Sequence, residues 1–397
     1  MRYNAFMTHA PRAYLDHNAT SPLRPEATAA VLEALALVGN ASSVHAEGRA
    51  ARAALEDARA RVAGAFGASA KNVVFTSGAT EAANLALTPH IQRCAADRCG
   101  GAGALDALLM SAVEHPAVLF GHRFGAAAET LPVDAAGVLR LATLEAALAR
   151  NAGRRLMIAL QAANNETGAI QPVKAAAELV RVAGGLLVCD ATQGVGRIKT
   201  SLTETGADIL FCSAHKLGGP KGVGAIVFAR DDIHIETPLI RGGGQERGLR
   251  AGTENIAAAC GFAAALEAAV AAQESESARL CALRDELERK VAETLPEARF
   301  LSASAQRLPN VSAFVAPGFK AQTVLMALDL EGAALSSGSA CSSGKVTASH
   351  VLAAMGETES EALRASLGWS STRDDVQKFG IAFAVVVGRM KARHAVA

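Results

Sequence analysis

Residues 209–228 read Ile-Leu-Phe-Cys-Ser-Ala-His-Lys-Leu-Gly-Gly-Pro-Lys-Gly-Val-Gly-Ala-Ile-Val-Phe. An apolar run ends in Ser213, His215 and Lys216, a Gly-rich turn follows, and a second apolar run begins at Gly224. Short apolar runs bounded by turn residues predict buried strands over 209–213 and 224–228. The same pattern recurs upstream and predicts strands over 72–75, 107–111, 156–162 and 186–189. Between them lie helical stretches: 47–66, with Leu55, Val62 and Phe66 on one stripe, 80–92, and a helix opening at Glu114-His115. Short buried strands alternating with helices predict an α/β unit whose mainly parallel sheet is covered on both faces. Ligands of such sheets bind beyond the C-terminal strand ends. Polar clusters stand there: Thr76-Ser77-Gly78-Ala79-Thr80, Glu114-His115, Asn164-Asn165, Asp190-Ala191-Thr192-Gln193 and Ser213-Ala214-His215-Lys216 each follow an apolar run.

After Glu254 the character changes. Residues 256–295 read as one long helix, and the rest mixes strands, a Gly/Ser loop and helices. The expected organisation is a large domain over 16–264 and a smaller one over 265–397, joined by an N-terminal arm, 1–15.

Composition excludes several classes. Half of the 397 residues are hydrophobic and 19% are charged, which excludes disorder as the main character. A net charge of +1 argues against broad electrostatic capture of nucleic acid or anionic membrane. The longest apolar stretch, 256–266, is far short of the roughly 20 residues a membrane helix needs. The N-terminus carries no signal-peptide core, so a cytoplasmic location is expected. Seven scattered cysteines without a CxxC pair predict neither a disulfide framework nor a metal site. The chain has no Walker loop and no GxGxxG fingerprint.

Single residues leave two readings open. Lys216 fits a solvated surface lysine or a Schiff-base lysine of lowered pKa. Asp190 fits a helix cap or a partner for a protonated pyridine nitrogen. The segment 76–80 fits an ordinary cap or an anion site at a helix start. His115 fits a structural histidine or one that stacks on a flat cofactor and moves protons. Arg364 fits a surface arginine or a fork for a carboxylate. Cys341 lies among Gly and Ser, with little apolar surface near it in sequence, which favours a reactive thiol over a packing role.

Taken in order, these clusters resemble the cysteine desulfurases, pyridoxal 5'-phosphate (PLP) enzymes of the class V aminotransferase group. The matching stretches are 14–20 (YLDHNAT), 39–45 (GNASSVH), 164–168 (NNETG), 213–224 (SAHKLGGPKGVG), 242–255 (GGGQERGLRAGTEN), 336–344 (SSGSACSSG) and Arg364, across nearly the whole chain. The resemblance implies PLP-dependent transferase fold type I: a large domain with a mainly parallel seven-stranded sheet, and a smaller α+β C-terminal domain. It implies that Lys216 holds PLP covalently and acts as acid and base, and that Asp190 pairs with the pyridine nitrogen. Gln193 would bond the phenolic oxygen and His115 would stack on the ring. Ala79, Thr80, Ser213 and His215 would hold the phosphate, completed by Thr253 from the second copy of a homodimer. Asn165 and Arg364 would orient the substrate carboxylate. Cys341 would be the nucleophile that takes sulfur from L-cysteine, leaving L-alanine and a persulfide. The acceptor would be a protein such as an iron–sulfur scaffold, or a tRNA-thiolation partner. A selenocysteine lyase or another class V PLP enzyme is the alternative; the Cys341 loop favours sulfur transfer. Departures from the family pattern occur at Ala82-Ala83-Asn84 and at Trp369.

Overall fold

The computed structural model describes residues 12–93, 104–337, 349–357 and 361–394. Its central sheet has seven strands: β1 (Val73–Thr76), β2 (Ala107–Ser111), β3 (Ala128–Leu131), β4 (Leu156–Ala159), β5 (Leu186–Asp190), β6 (Ile209–Ser213) and β7 (Gly224–Phe228). The spatial order is β1-β7-β6-β5-β4-β2-β3. Only β7 runs antiparallel to its neighbours, so all the other strands point the same way.

Period-2 alternation divides the strand side chains between two layers, one on each face of the sheet. Leu109, Ile158, Leu187 and Leu210 face one layer, with Leu55, Val62 and Phe66 of α2 (Ala46–Phe66). Leu144 and Leu148 of α5 and Val180 of α6 belong to that layer, as do Phe262 and Leu266 of α7. These helices span Leu141–Arg150, Val173–Val182 and Ile256–Ala271. Leu108, Met110, Met157 and Val188 face the other layer, with Leu85 of α3 (Ala79–Ala86) and Val118 of α4 (Pro116–Leu119). Each fully buried side chain of this kind contributes about 1.5–3 kcal/mol. On the outside of α7 packs α1 (Pro25–Leu35).

A second core begins with α8 (Gln273–Thr294). Its sheet is antiparallel, in the order β8 (Arg299–Phe300), β9 (Val311–Val315), β11 (Ala362–Ser366), β10 (Ser336–Ser337). Leu287 and Val291 meet Phe314 there, with Leu328 of α9 (Ala321–Leu330) and Phe379 and Phe383 of α11 (Arg373–His394). Between β10 and β11 lies α10 (His350–Ala354). The N-terminal Ala13 and Leu15 lie in this core too, and Ala13–Tyr14 pairs in parallel with Ala333–Ala334.

Three expectations need correction. The helix expected over 80–92 ends at Ala86, because Pro89 has no N–H to continue it and Ile91–Arg93 pairs with Ile233–Ile235. The strand expected over 156–162 stops at Ala159. The helix expected over 256–295 breaks at Ala272 with a bend of 72°. No Pro or Gly stands at that break. Tertiary contacts turn the chain: both Glu276 carboxylate oxygens accept from Arg24 Nη2, at 3.0 and 2.9 Å, and the Ser277 hydroxyl donates to Arg197 O at 2.7 Å. Among the described residues no single helix is long and apolar enough to cross a membrane.

Candidate active site

The strands point their C-terminal ends to one side, and the turns that follow β1, β2, β4, β5 and β6 line one cavity of about 580 Å³. That volume is typical of a small-molecule site. Ala79, Thr80, His115, Asn165, Asp190, Gln193, Ser213, His215, Lys216 and Arg364 all line it. Thr253 is exposed and lines no part of it, and Cys341 lies outside the described residues.

Lys216 follows β6 on a single 3-10 turn. Its Nζ donates to Asn18 O at 2.5 Å and to Ala19 O at 2.7 Å, which draws the ammonium to the cavity wall. Asp190 ends β5 and accepts from the Thr192 N–H at 2.9 Å. Burial raises its carboxyl above the ordinary range, opposed by Thr192 and by the charges of His115 and Lys216. A cationic N–H facing it would offset that burial.

His115 caps α4: its Nδ1 accepts from the Ala117 N–H at 3.1 Å. Accepting there leaves the ring proton of the neutral form on Nε2. Burial lowers its pKa; Asp190 opposes this, while Lys216 and His350 reinforce it. His215 contacts the Thr20 hydroxyl at 3.2 Å and is lowered to about 4, first by burial and then by Lys216 and Lys221. Around Ala79 and Thr80, α3 begins, and the Ser77 N–H is taken by Glu81 Oε2 at 2.8 Å. Gly224 must lack a side chain here, since a Cβ would come within 2.8 Å of Gly78 Cα.

Arg364, on β11, bridges the two units. It donates to Asp16 Oδ1 at 2.8 Å and to Asn165 O at 3.1 Å, and its Nε is buried without a partner. Gln193 donates to Asn18 O at 3.1 Å and accepts from Arg197 at 2.5 Å. Arg197 is buried, and desolvation lowers its pKa to about 10. It also donates to Lys216 O, so it anchors both residues from below.

Sequence reasoning assigned no role to several contributors: Asn18, Thr20, Gln161 and Lys221 line the cavity, and Arg197 and Glu114 support it from outside. Asn18 and Thr20 lie inside a quoted motif, so a signal was present. Glu114 belongs to a strand-end cluster already quoted, whereas Arg197 carries no local pattern.

The arrangement suits a flat anionic cofactor. A lysine and a buried carboxylate share one cavity, with hydroxyls and helix-start amides at one end. The buried Thr192 Oγ1 and Arg364 Nε still lack partners.

Comparison with known proteins decides the family. The model of class V aminotransferases matches residues 13–379. The chain belongs to this family. Among class V aminotransferases it is 38% identical to a cysteine desulfurase, IscS, of Dictyoglomus turgidum, over 91% of each chain. It is 41% identical to a cysteine desulfurase of Cereibacter sphaeroides over 87% of each. The structure superimposes on a NifS-like protein from Rickettsia africae with a TM-score of 0.83 at 29% identity, covering 95% of this chain and 99% of the other. This family member therefore has the NifS-like α/β fold.

Proposed function

We propose that this chain is a PLP-dependent cysteine desulfurase that converts L-cysteine to L-alanine and passes the sulfur to an acceptor. The observation that carries the reading is the convergence of Lys216, Asp190, His115 and Arg364 on one cavity in a class V family member.

PLP, when bound, supplies an electron sink for the α-carbon. Lys216 would hold it, Asp190 its pyridine nitrogen and Gln193 its phenolic oxygen. Ala79, Thr80, Ser213 and His215 would hold its phosphate. His115, neutral with Nε2–H, would stack and donate at that atom. Lys216 Nζ would move the α-proton. Arg364 and Asn165 would bind the substrate carboxylate; Arg364 keeps N–H donors, its Nε among them, beyond the two that Asp16 and the Asn165 carbonyl accept. The Cys341 thiolate would attack the substrate sulfur: an S–S bond forms, the C–S bond breaks, and the electron pair leaves on carbon, which is protonated as alanine forms. The balance is thiolate plus cysteine giving persulfide plus alanine, with no external oxidant. An acceptor protein, such as an iron–sulfur scaffold, would then take the sulfur.

A homodimer follows from the same reading. Thr253 is exposed in the single chain and would act at the site of a second copy. Leu32, Leu35, Val38 and Val44, exposed by 64%, 66%, 93% and 86%, supply apolar surface on and after α1. We draw the boundary between the two units at the α7–α8 bend, a few residues beyond the expected 264/265, because Ala265, Leu266 and Ala269 pack in the first core and Leu280 in the second.

The test is incubation with PLP and L-cysteine, with alanine and sulfur release measured together and Cys341→Ser beside the wild type. Equimolar products, lost in the variant, support the reading. A PLP-loaded wild type that releases neither product from L-cysteine but acts on selenocysteine would overturn it.

A further inference from the structure

Two turns carry residues that line the cavity: the turn after β2, with His115, and the turn after β4, with Asn165. Each is held by the start of α10, which packs against the second sheet. His350 Nε2 lies 2.9 Å from Glu114 O; a carbonyl only accepts, so this nitrogen carries the proton. The Ser349 hydroxyl donates to Glu166 Oε2 at 2.6 Å and accepts from the Leu352 N–H at 3.2 Å, which caps α10. The residues gripped, Glu114 and Glu166, immediately adjoin His115 and Asn165.

The packing of α10 fits a wedge. Val351 and Met355 press on Val113 of the large unit, while Leu352 joins Leu301, Ala313, Val315 and Ala362 of the second sheet. Glu166 is buried and has few ways to be satisfied; the Ser349 hydroxyl meets one of its oxygens directly. Asn165 between them is held by its carbonyl, from Arg364 at 3.1 Å and Asn18 at 3.0 Å. A shift of the Glu166 side chain would therefore turn Asn165 against Arg364. A shift of Glu114 would move the His115 cap.

We propose that Ser349 and His350 are positioning residues, which hold the Asn165 and His115 turns in register with Arg364 and thereby set substrate-carboxylate binding and the stacking of His115 on the cofactor ring. The inference rests on the proposed function and assigns a role to residues outside the cavity lining.

The test uses the PLP-loaded full chain. The dissociation constant of L-alanine, the product, is read from the change in the cofactor's visible band, and KM and kcat for L-cysteine are measured separately. Ser349→Ala should weaken alanine binding and raise KM by roughly 5- to 30-fold, the loss expected for a buried acceptor left without its donor. Ser349→Thr, which keeps the hydroxyl, should restore most of both. His350→Ala should shift the visible band of the resting enzyme, and His350→Gln, which retains a donor at the Nε2 position, should reverse the shift. Ser302→Ala is the control: Ser302 donates across the same two units, to Ala136 O at 2.8 Å, without adjoining a cavity residue. Should Ser349→Ala fail to fold, Ser349→Cys keeps a weaker donor of similar shape and reads the same quantities. Ser349 and His350 variants that behave like Ser302→Ala overturn the proposal. A wild type that binds alanine but does not turn over cysteine would instead overturn the proposed function, and the alanine titration would still decide the positioning roles.

Discussion

Arg59 on α2 and Glu246, in the loop before α7, form a two-pronged ion pair at 2.6 and 2.8 Å, with both side chains almost fully buried. Glu246 also accepts the Phe75 N–H at 2.9 Å, and Arg59 donates to Val73 O at 3.0 Å and lies over the Phe75 ring. The pair thus ties the 242–255 loop to β1, which leads into the Ser77–Thr80 end of the cavity. Glu246 and Arg247 take left-handed φ values of 46° and 56°, strain that this anchoring holds in place. Removing one partner leaves a buried charge alone, so Glu246→Ala should cost about 3–5 kcal/mol. Urea denaturation of the single variants and of Arg59→Met/Glu246→Met measures it. The double variant should lose less than the sum of the singles.

Arg364 should tolerate no simple exchange. Its fork reaches Asp16 and the Asn165 carbonyl at once, and one Nζ of lysine cannot serve both and still meet a carboxylate. Arg364→Lys should raise KM for L-cysteine by roughly 10- to 100-fold, the range of one charged hydrogen bond, with a smaller change in kcat. Steady-state kinetics on the loaded enzyme separates the two.

Lys216→Ala should retain some cofactor through the other cavity groups but lose every linkage that borohydride can trap, along with all turnover. Mass spectrometry after reduction reads the linkage without reference to activity.

Two buried groups give opposite pH signs. His17 is pushed down to about 3, by burial first and then by Arg197 and Arg279. Its ring is wedged between the Ser21 and Ser371 hydroxyls at 3.0 and 3.2 Å. The unfolded chain takes up a proton near pH 6.5 that the folded chain refuses until about 3. Stability is therefore lost as pH falls through that window. Glu166 is pushed up to about 7 by burial, against Ser349 and Arg364. Here the folded state holds the extra proton between the ordinary carboxylate range and 7, so stability falls as pH rises through that window. Glu166→Gln should gain stability relative to wild type between pH 5 and 8, by at most about 2–3 kcal/mol. Thermal melts across that range check the sign.

Gly368→Ala should abolish the folded state, or nearly so. A Cβ there would lie 1.9 Å from His17 Nδ1, and the ring is fixed on both nitrogens. Soluble yield and the melting temperature give the outcome.

Much of the cavity was legible because strand ends leave a local trace. Asp190, Ser213 and the residues just after them close short apolar runs, and a parallel sheet brings such ends together whatever the helices do. The early end of α3 was less legible, because its cause is a pairing between Ile91–Arg93 and Ile233–Ile235, far apart in the chain. The bend at Ala272 has no breaker in the sequence; the chain turns because Ala269 and Leu280 belong to different cores.

The sequence by itself determined the strand order of events: which segments are buried on both faces, which polar residues close them, and which family they match. Periodicity and spacing are local quantities, and local quantities survive in one dimension. Tertiary structure alone decided that Arg364 from the second sheet reaches Asn165, that Arg197 braces the Lys216 carbonyl from beneath, and that Ser349 and His350 grip the turns beside Asn165 and His115. Those contacts join residues separated by up to 236 positions. Their partners are selected by burial, which leaves each polar atom to find whatever donor or acceptor the packing brings near.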